Sequence, residues 1–237
     1  LVIPAGAQGV TVANCDELAE LVLPEGIKDV HIDVESFCYS PQFNVPEGIE
    51  NLTLIHSYYE NLDWLKAKNV TIRGCNAIEA LNTPAGVETV NIESCEELAE
   101  VNFAEEIKSI TISDSDKIRM LNVPIGVESL HSNIYGLEQL NLPEGIKNIY
   151  VSSGCLETLN IPTGTEKLSL ITCEKLKEIN LPDGIKDVSV SDCSEISVLD
   201  IPASTEKVSI DKCNELTEAN LSKGIKNINV RWCGKLE

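Results

Sequence analysis

Cysteine is the residue whose spacing in this chain could do chemistry. Nine occur in 237 residues. Cys15, Cys75, Cys95, Cys173, Cys193, Cys213 and Cys233 fall at one place in a pattern about 20 residues long, and Cys38 and Cys155 sit near it in coils of altered length. Thiols so arranged could ligate a metal, form bridges or run redox chemistry. No Cys-x-x-Cys occurs, so a zinc ribbon or a thioredoxin-type site has no support. Stacked one per coil at about 4.8 Å, they would meet the distance for a disulfide, but parallel side-chain vectors give poor bridge geometry. The expectation is an inward-facing ladder of reduced thiols acting as small hydrophobes.

Other chemistry is sparse. The histidines are His31, His56 and His131. His31 and His131 lie in the middle of strand-type segments about five coils apart, too far to share a metal or a proton. There is no His-Glu-x-x-His, no Gly-x-Ser-x-Gly and no phosphate loop. With 38 Asp and Glu against 18 Lys and Arg, a carboxylate pair within catalytic reach carries little information. The sequence therefore assigns no catalytic, cofactor-binding or metal-ligating residue and reads as non-enzymatic. A net charge of −20 argues against nucleic-acid binding and against unaided docking on an anionic membrane. No apolar run approaches the roughly 18 residues of a membrane span.

The elements that must position these residues are coils of one repeat. Cys173 to Cys193 shows it best: CEKLKEINLPDGIKDVSVSDC. Judged by the residue before each Pro, repeats start near Ile3, Leu23, Val45, Thr83, Val123, Leu142, Ile161, Leu181 and Ile201, with members lacking Pro near Trp64, Phe103 and Leu221. About twelve coils result, forming a single solenoid over 1–237 that is expected to be excised from a longer protein. Aliphatics dominate: 43% of residues are hydrophobic and only 4% aromatic, which suits thin stacked layers.

Within a coil, segments such as DVHID, TVNIE and DVSVS alternate strictly and are rich in β-branched residues, so each predicts a strand. The LNIP-type half predicts an extended or second short strand closed by a Pro-x-Gly turn. The CxxL piece has room for one helical or 3₁₀ turn at most. Asn44, Asn82, Asn102, Asn122, Asn141, Asn160, Asn180 and Asn220, with Asp200, recur at one position and predict a ladder that satisfies backbone groups at the bend. After each Gly corner the charge alternates from Lys28 and Glu50 to Glu206 and Lys226, setting unlike charges on neighbouring coils. Neither end carries a polar cap, so flanking sequence or self-association is expected to cover the terminal layers.

The motif Cys-x-x-Leu-x-x-Ile-x-Leu-Pro-x-Gly-Ile-x-x-Val, as in Cys173 to Val188, resembles the repeats of BspA-like bacterial surface proteins. The coil lacks that family's Ala-Phe-x-x-Cys segment and is shorter, in which it is similar to the YopM and IpaH effector repeats, although Cys stands where those carry Asn. The resemblance implies an α/β-class repeat solenoid, predominantly β, curved as a horseshoe or superhelix, with one parallel sheet and an extended or 3₁₀ convex side. It also implies a bacterial protein at the cell surface or secreted, or alternatively delivered into the host cytosol. No segment resembles the ubiquitin-ligase domain of some of those effectors.

A sheet with one buried face leaves the other free. Its central outward column is expected to hold Thr11, His31, Thr53, Thr71, Asn91 and Thr111, then His131, Tyr150, Ser169, Ser189, Ser209 and Asn229. Six of the aromatics (Phe37, Tyr39, Phe43, Tyr58, Tyr59 and Trp64) cluster in two irregular coils. Phe43, Tyr59 and Trp64 align with core Leu positions, whereas Tyr39 and Tyr58 do not and are expected at the surface. The candidate partner-binding residues are thus His31, Tyr39, Thr53, Tyr58, Arg73, Asn91, Glu93, His131 and Tyr150. The partner expected is a protein, with a host protein among the candidates. A rigid spacer, or the recognition arm of an enzyme encoded elsewhere in the reading frame, are the alternative roles.

Overall fold

The computed structural model describes residues 1–15, 17–34 and 41–236. Two compact units divide it, Leu1–Lys117 and Ile118–Glu237. In the first, six strands lie side by side, all parallel and in chain order: Gly9–Ala13, Asp29–Asp33, Ile49–Ile55, Ala67–Arg73, Thr89–Glu93 and Ser109–Ser113. The second repeats the arrangement with Ser129–Asn133, Asn148–Ser152, Lys167–Ile171, Asp187–Ser191, Lys207–Asp211 and Asn227–Arg231. No helix occurs among the described residues. Each unit is a run of parallel leucine-rich repeat coils with six main strands, the solenoid architecture that the repeat predicts.

The alternation of the sequence becomes the two faces of the sheet. Val30 and Ile32, Leu52 and Leu54, Val70 and Ile72, Val90 and Ile92, and Ile110 and Ile112 all point inward and are at most 2% exposed. The LNxP halves form short two-stranded parallel ladders, among them Ala80–Asn82 with Glu100–Asn102 and Val198–Asp200 with Glu218–Asn220. Between strand and short ladder the CxxL piece closes one turn, in which the Leu98 amide donates to the Cys95 carbonyl at 3.1 Å and that of Leu176 to Cys173 at 3.2 Å. The other corner is the Pro-x-Gly turn, whose Gly184 at φ 100° needs the left-handed region that a side chain would disfavour.

Cys75, Cys95, Cys173, Cys193 and Cys213 form the expected ladder, buried and unbridged. Each thiol turns to carbonyls, as Cys95 does to Glu93 at 3.6 Å and to Ile72 in the preceding coil at 3.9 Å. Cys15 is exposed and Cys155 and Cys233 are half-buried; Cys38 lies outside the described residues. The sequence reading missed that serine takes the same place elsewhere. Ser57, Ser115 and Ser153 are buried there, and Ser153 donates to Leu137 O at 2.8 Å, displacing Cys155 from the ladder. A small polarisable or hydroxyl group fits where a coil closes beside unpaired carbonyls.

The asparagine ladder differs from expectation. Asn44 serves a backbone as expected, accepting from Leu23 N at 2.8 Å and donating to Leu23 O at 3.0 Å. Three further members pair along the column instead: Asn102 donates to Asn82 at 3.0 Å, Asn141 to Asn122 at 2.7 Å, and Asn220 to the Asp200 carboxylate at 2.8 Å. Identical coils at strand spacing bring amide to amide before either reaches a carbonyl. The alternating charges close as Lys28–Glu50 at 3.2 Å, Lys147–Glu128 at 3.0 Å and Lys226–Glu206 at 2.8 Å. These exposed pairs set register more than they add stability.

Burial also pushes three of the ladder thiols up, Cys75 to about 12 and Cys95 and Cys213 to about 11. Thiolate being the reactive form, alkylation of the native chain at pH 8 followed by peptide mass mapping should label Cys15 and leave Cys75, Cys95, Cys173, Cys193 and Cys213 unmodified until denaturant is added. Among the described residues two buried hydroxyls lack a partner in the core. Thr205 takes a place held elsewhere by Ile27, Ile107 and Ile185, and its buried hydroxyl has no hydrogen-bond partner; the Ser132 hydroxyl, inward beside Val151, has none either. A buried unsatisfied hydroxyl costs about 1–3 kcal/mol. Thr205→Val and Ser132→Val should therefore each raise stability by about 1 kcal/mol or more in urea unfolding, and a loss in both would contradict this account of the core.

Candidate functional site

The outward column forms as predicted within each unit. Thr11 faces His31, His31 faces Thr53, Thr53 faces Thr71, and Asn91 follows between Thr71 and Thr111. In the second unit His131, Tyr150, Ser169, Ser189, Ser209 and Asn229 align in turn. Strand period two is the physical reason: with Val30 and Ile32 drawn inward, His31 has nowhere to go but out.

In the first unit, Gly9 leaves a gap beside Asp29, and a hollow of about 240 Å³ opens there among Thr11, Asp29, His31, Asn51 and Thr53. Its wall is ordered. Asn51 donates to Asp29 at 2.6 Å, and Asn69 donates to Asn51 at 2.8 Å. Further along, Arg73 donates through Nε to Glu93 at 2.8 Å and approaches it through Nη2 at 2.6 Å. The predicted residues Arg73 and Glu93 thus meet each other across neighbouring strands, with Asn91 alongside.

In the second unit His131 and Tyr150 stack, ring centroids 3.9 Å apart and planes 6° from parallel. The sequence placed both in the column, and register turns adjacency into a stack. Partial desolvation lowers the His131 pKa from its ordinary 6.5 although the residue as a whole is exposed. Tyr58 is 48% exposed but lies away from this column, lining a separate hollow of about 540 Å³ with Glu60, Asp63, Glu79 and Asn82. Tyr39 falls outside the described residues, as does Phe37. Phe43, Tyr59 and Trp64 pack edge to face, Phe43–Trp64 at 4.9 Å and Tyr59–Trp64 at 5.1 Å, so they fill a widened layer. The structure therefore brings together His31 with Thr53, Arg73 with Glu93, and His131 with Tyr150, and sets Tyr58 apart.

One pairing had no signal in the sequence. His56, at a corner with φ 49°, places Nδ1 3.2 Å from Asp33 Oδ1. Twenty-three residues separate them, a distance only coil register could bridge. Among the described residues no group of three or more His, Cys, Asp or Glu is placed to hold a metal ion, and no helix is long and apolar enough to cross a membrane.

The description of the BspA type leucine-rich repeat region fits residues 66–170 and 155–235, in six copies. The chain belongs to the BspA-type leucine-rich repeat family. Among solved structures, this BspA-type chain is similar to a leucine-rich repeat protein from Bacteroides ovatus, with 17% identity and a TM-score of 0.42 over 94% of this chain and 79% of that one. It is also similar to a leucine rich cell surface protein from Faecalibacterium prausnitzii, with 12% identity and a TM-score of 0.37 over 97% and 86%. A third is the T. pallidum leucine-rich repeat protein, with 12% identity and a TM-score of 0.24 over 100% and 91%. No curated protein matches the chain.

The depressed His131 pKa has a definite sign. Well above pH 6.5 the imidazole is neutral in folded and unfolded chains alike, so it adds no pH dependence there. Below 6.5 the unfolded chain takes up the proton first, and stability falls until the folded pKa is passed. NMR titration should find His131 below 6.5, and the parent should lose stability relative to His131→Gln as pH drops through that window. Titration at or above the ordinary value would remove the burial from this site.

Proposed function

We propose that the chain is a non-enzymatic recognition module of a bacterial surface or secreted protein, binding a protein partner through the outward face of its parallel strands. The observation that carries this is the contrast between the two faces. Inward positions repeat the same aliphatics from coil to coil, because packing dictates them. Outward positions run through Thr, His, Asn, Tyr and Ser, and the fold requires none of them in particular. Membership of the BspA-type family supports the same reading.

Within that face, the His31 hollow offers hydroxyl, imidazole and amide groups at a shallow depression, and the His131–Tyr150 stack offers a rigid aromatic ridge. Rigid aromatics lose little entropy on binding and commonly anchor interfaces. The net charge of −20 favours a partner with a basic surface, since unlike potentials speed encounter.

Surface plasmon resonance against purified host extracellular-matrix proteins tests this. A partner that binds should lose about tenfold in affinity with either Tyr150→Ala or the double variant His31→Ala/Thr53→Ala, and should be unaffected by Glu178→Ala on the short-ladder side. Affinity unchanged by both face variants would overturn the sheet-face assignment.

A further inference from the structure

A different edge of the second unit carries a second site. In four consecutive coils the residue just after the main strand turns the chain in the left-handed region: Thr172, Asp192, Lys212 and Trp232, at φ 55°, 54°, 51° and 54°. Such corners favour Gly, Asn or Asp. Thr172 is β-branched and Trp232 is the bulkiest side chain there is, so three of the four corners are filled against backbone preference.

These side chains line a groove of about 420 Å³ together with Glu174, Ser194 and Asn214. Trp232 is 77% exposed along it. Asp192 is fixed: Ser191 donates to its Oδ2 at 2.8 Å, and Lys212 Nζ lies 3.5 Å from its Oδ1. The lining is otherwise hydroxyl, amide, carboxylate and ammonium, with the indole as its apolar wall. An aliphatic or aromatic ligand would strip water from these polar groups and return nothing to most of them. A ligand with one apolar face and a ring of hydroxyls would satisfy both parts of the groove.

We infer that this groove binds a neutral, equatorially linked glucose-type oligosaccharide, one sugar stacking its axial C–H face on Trp232 while the hydroxyls of its neighbours bond Asp192, Lys212 and Asn214. An all-equatorial pyranose turns only C–H groups to its faces, which match the electron-rich indole, and sends its hydroxyls outward in the plane to meet side chains on either flank. Three coil steps of about 4.8 Å give a run of roughly 14 Å, long enough for two to three sugar units. Acidic glycans are disfavoured by Glu174 and by the net charge of −20. The site is independent of the sheet-face reading and shares no residue with it.

Trp64 and Trp232 are the two tryptophans of the chain, so in a Trp64→Phe background the emission reports Trp232 alone. Titration with cellohexaose or chitohexaose should give a saturable change in that emission. By calorimetry, Trp232→Ala in the full chain should weaken binding about tenfold, Asp192→Asn should weaken it several-fold, and Trp232→Phe should retain part of it. Tyr150→Ala, on the sheet face, should leave it unchanged. No binding of either hexasaccharide, or binding that survives Trp232→Ala, overturns the site. Tighter binding of maltohexaose or of polygalacturonate than of both β-linked probes overturns the assignment of ligand class.

Discussion

The spacing between parallel strands governs this molecule. Once neighbouring coils are hydrogen-bonded at about 4.8 Å, every side chain in one coil has a fixed counterpart in the next, at the same depth and on the same face. Aliphatic pairs such as Val90 and Ile92 against Ile110 and Ile112 then fill a layer with no freedom to slide. A single coil cannot cover its own two open layers, so the fold gains stability only as coils accumulate. The same rule makes any odd residue conspicuous: Thr205 and Ser132 stand out because their neighbours in the column are hydrocarbon.

Small polar groups recur where that rule meets the corners. Leaving a strand, the chain turns through a left-handed residue or directly, and carbonyls near the turn lie beyond the reach of the ladder. Cys95 and Ser153 answer the same need with a compact side chain, Cys95 beside carbonyl oxygens of its own and the preceding coil and Ser153 beside those of Tyr135 and Leu137 in the preceding coil. Cys75 and Cys95 are thereby held as packing units with their pKa raised, and the cysteine count reflects architecture more than redox chemistry. The asparagine column follows the same logic on the outside, where amide meets amide because the coils are alike.

Much of this was legible in the amino-acid order. Period two gave the strands, the Pro-x-Gly and CxxL pieces gave the turns, and the column from Thr11 to Asn229 followed from alternation alone. What escaped were features that depend on which coil neighbours which and by how many residues. Ser153 replaces Cys155 because that coil turns without a left-handed residue, a shift of two places that composition conceals. His56 reaches Asp33 across an enlarged coil, and Tyr58 turns to the hollow with Glu60 and Glu79 instead of the sheet face. Exposure told from alignment with core positions was right for Tyr58 and silent on its direction.

The corner row exposes a further consequence of the repeat. Any coil position is multiplied along the unit, so a residue that is tolerable once becomes a line of side chains. At inward positions the line must be uniform, since each layer has the same thickness. At the left-handed corners only the backbone is constrained, and a non-glycine residue there costs about 1–2 kcal/mol. Asn14 and Asp114 keep that cost low. Thr172, Lys212 and Trp232 do not, and their side chains open into one groove beside an oriented carboxylate. His56 and Ser94 bear the same conformation outside the groove, so the cost alone marks no site; what sets Thr172, Lys212 and Trp232 apart is that their side chains meet at one surface, as a ligand spanning several coils requires.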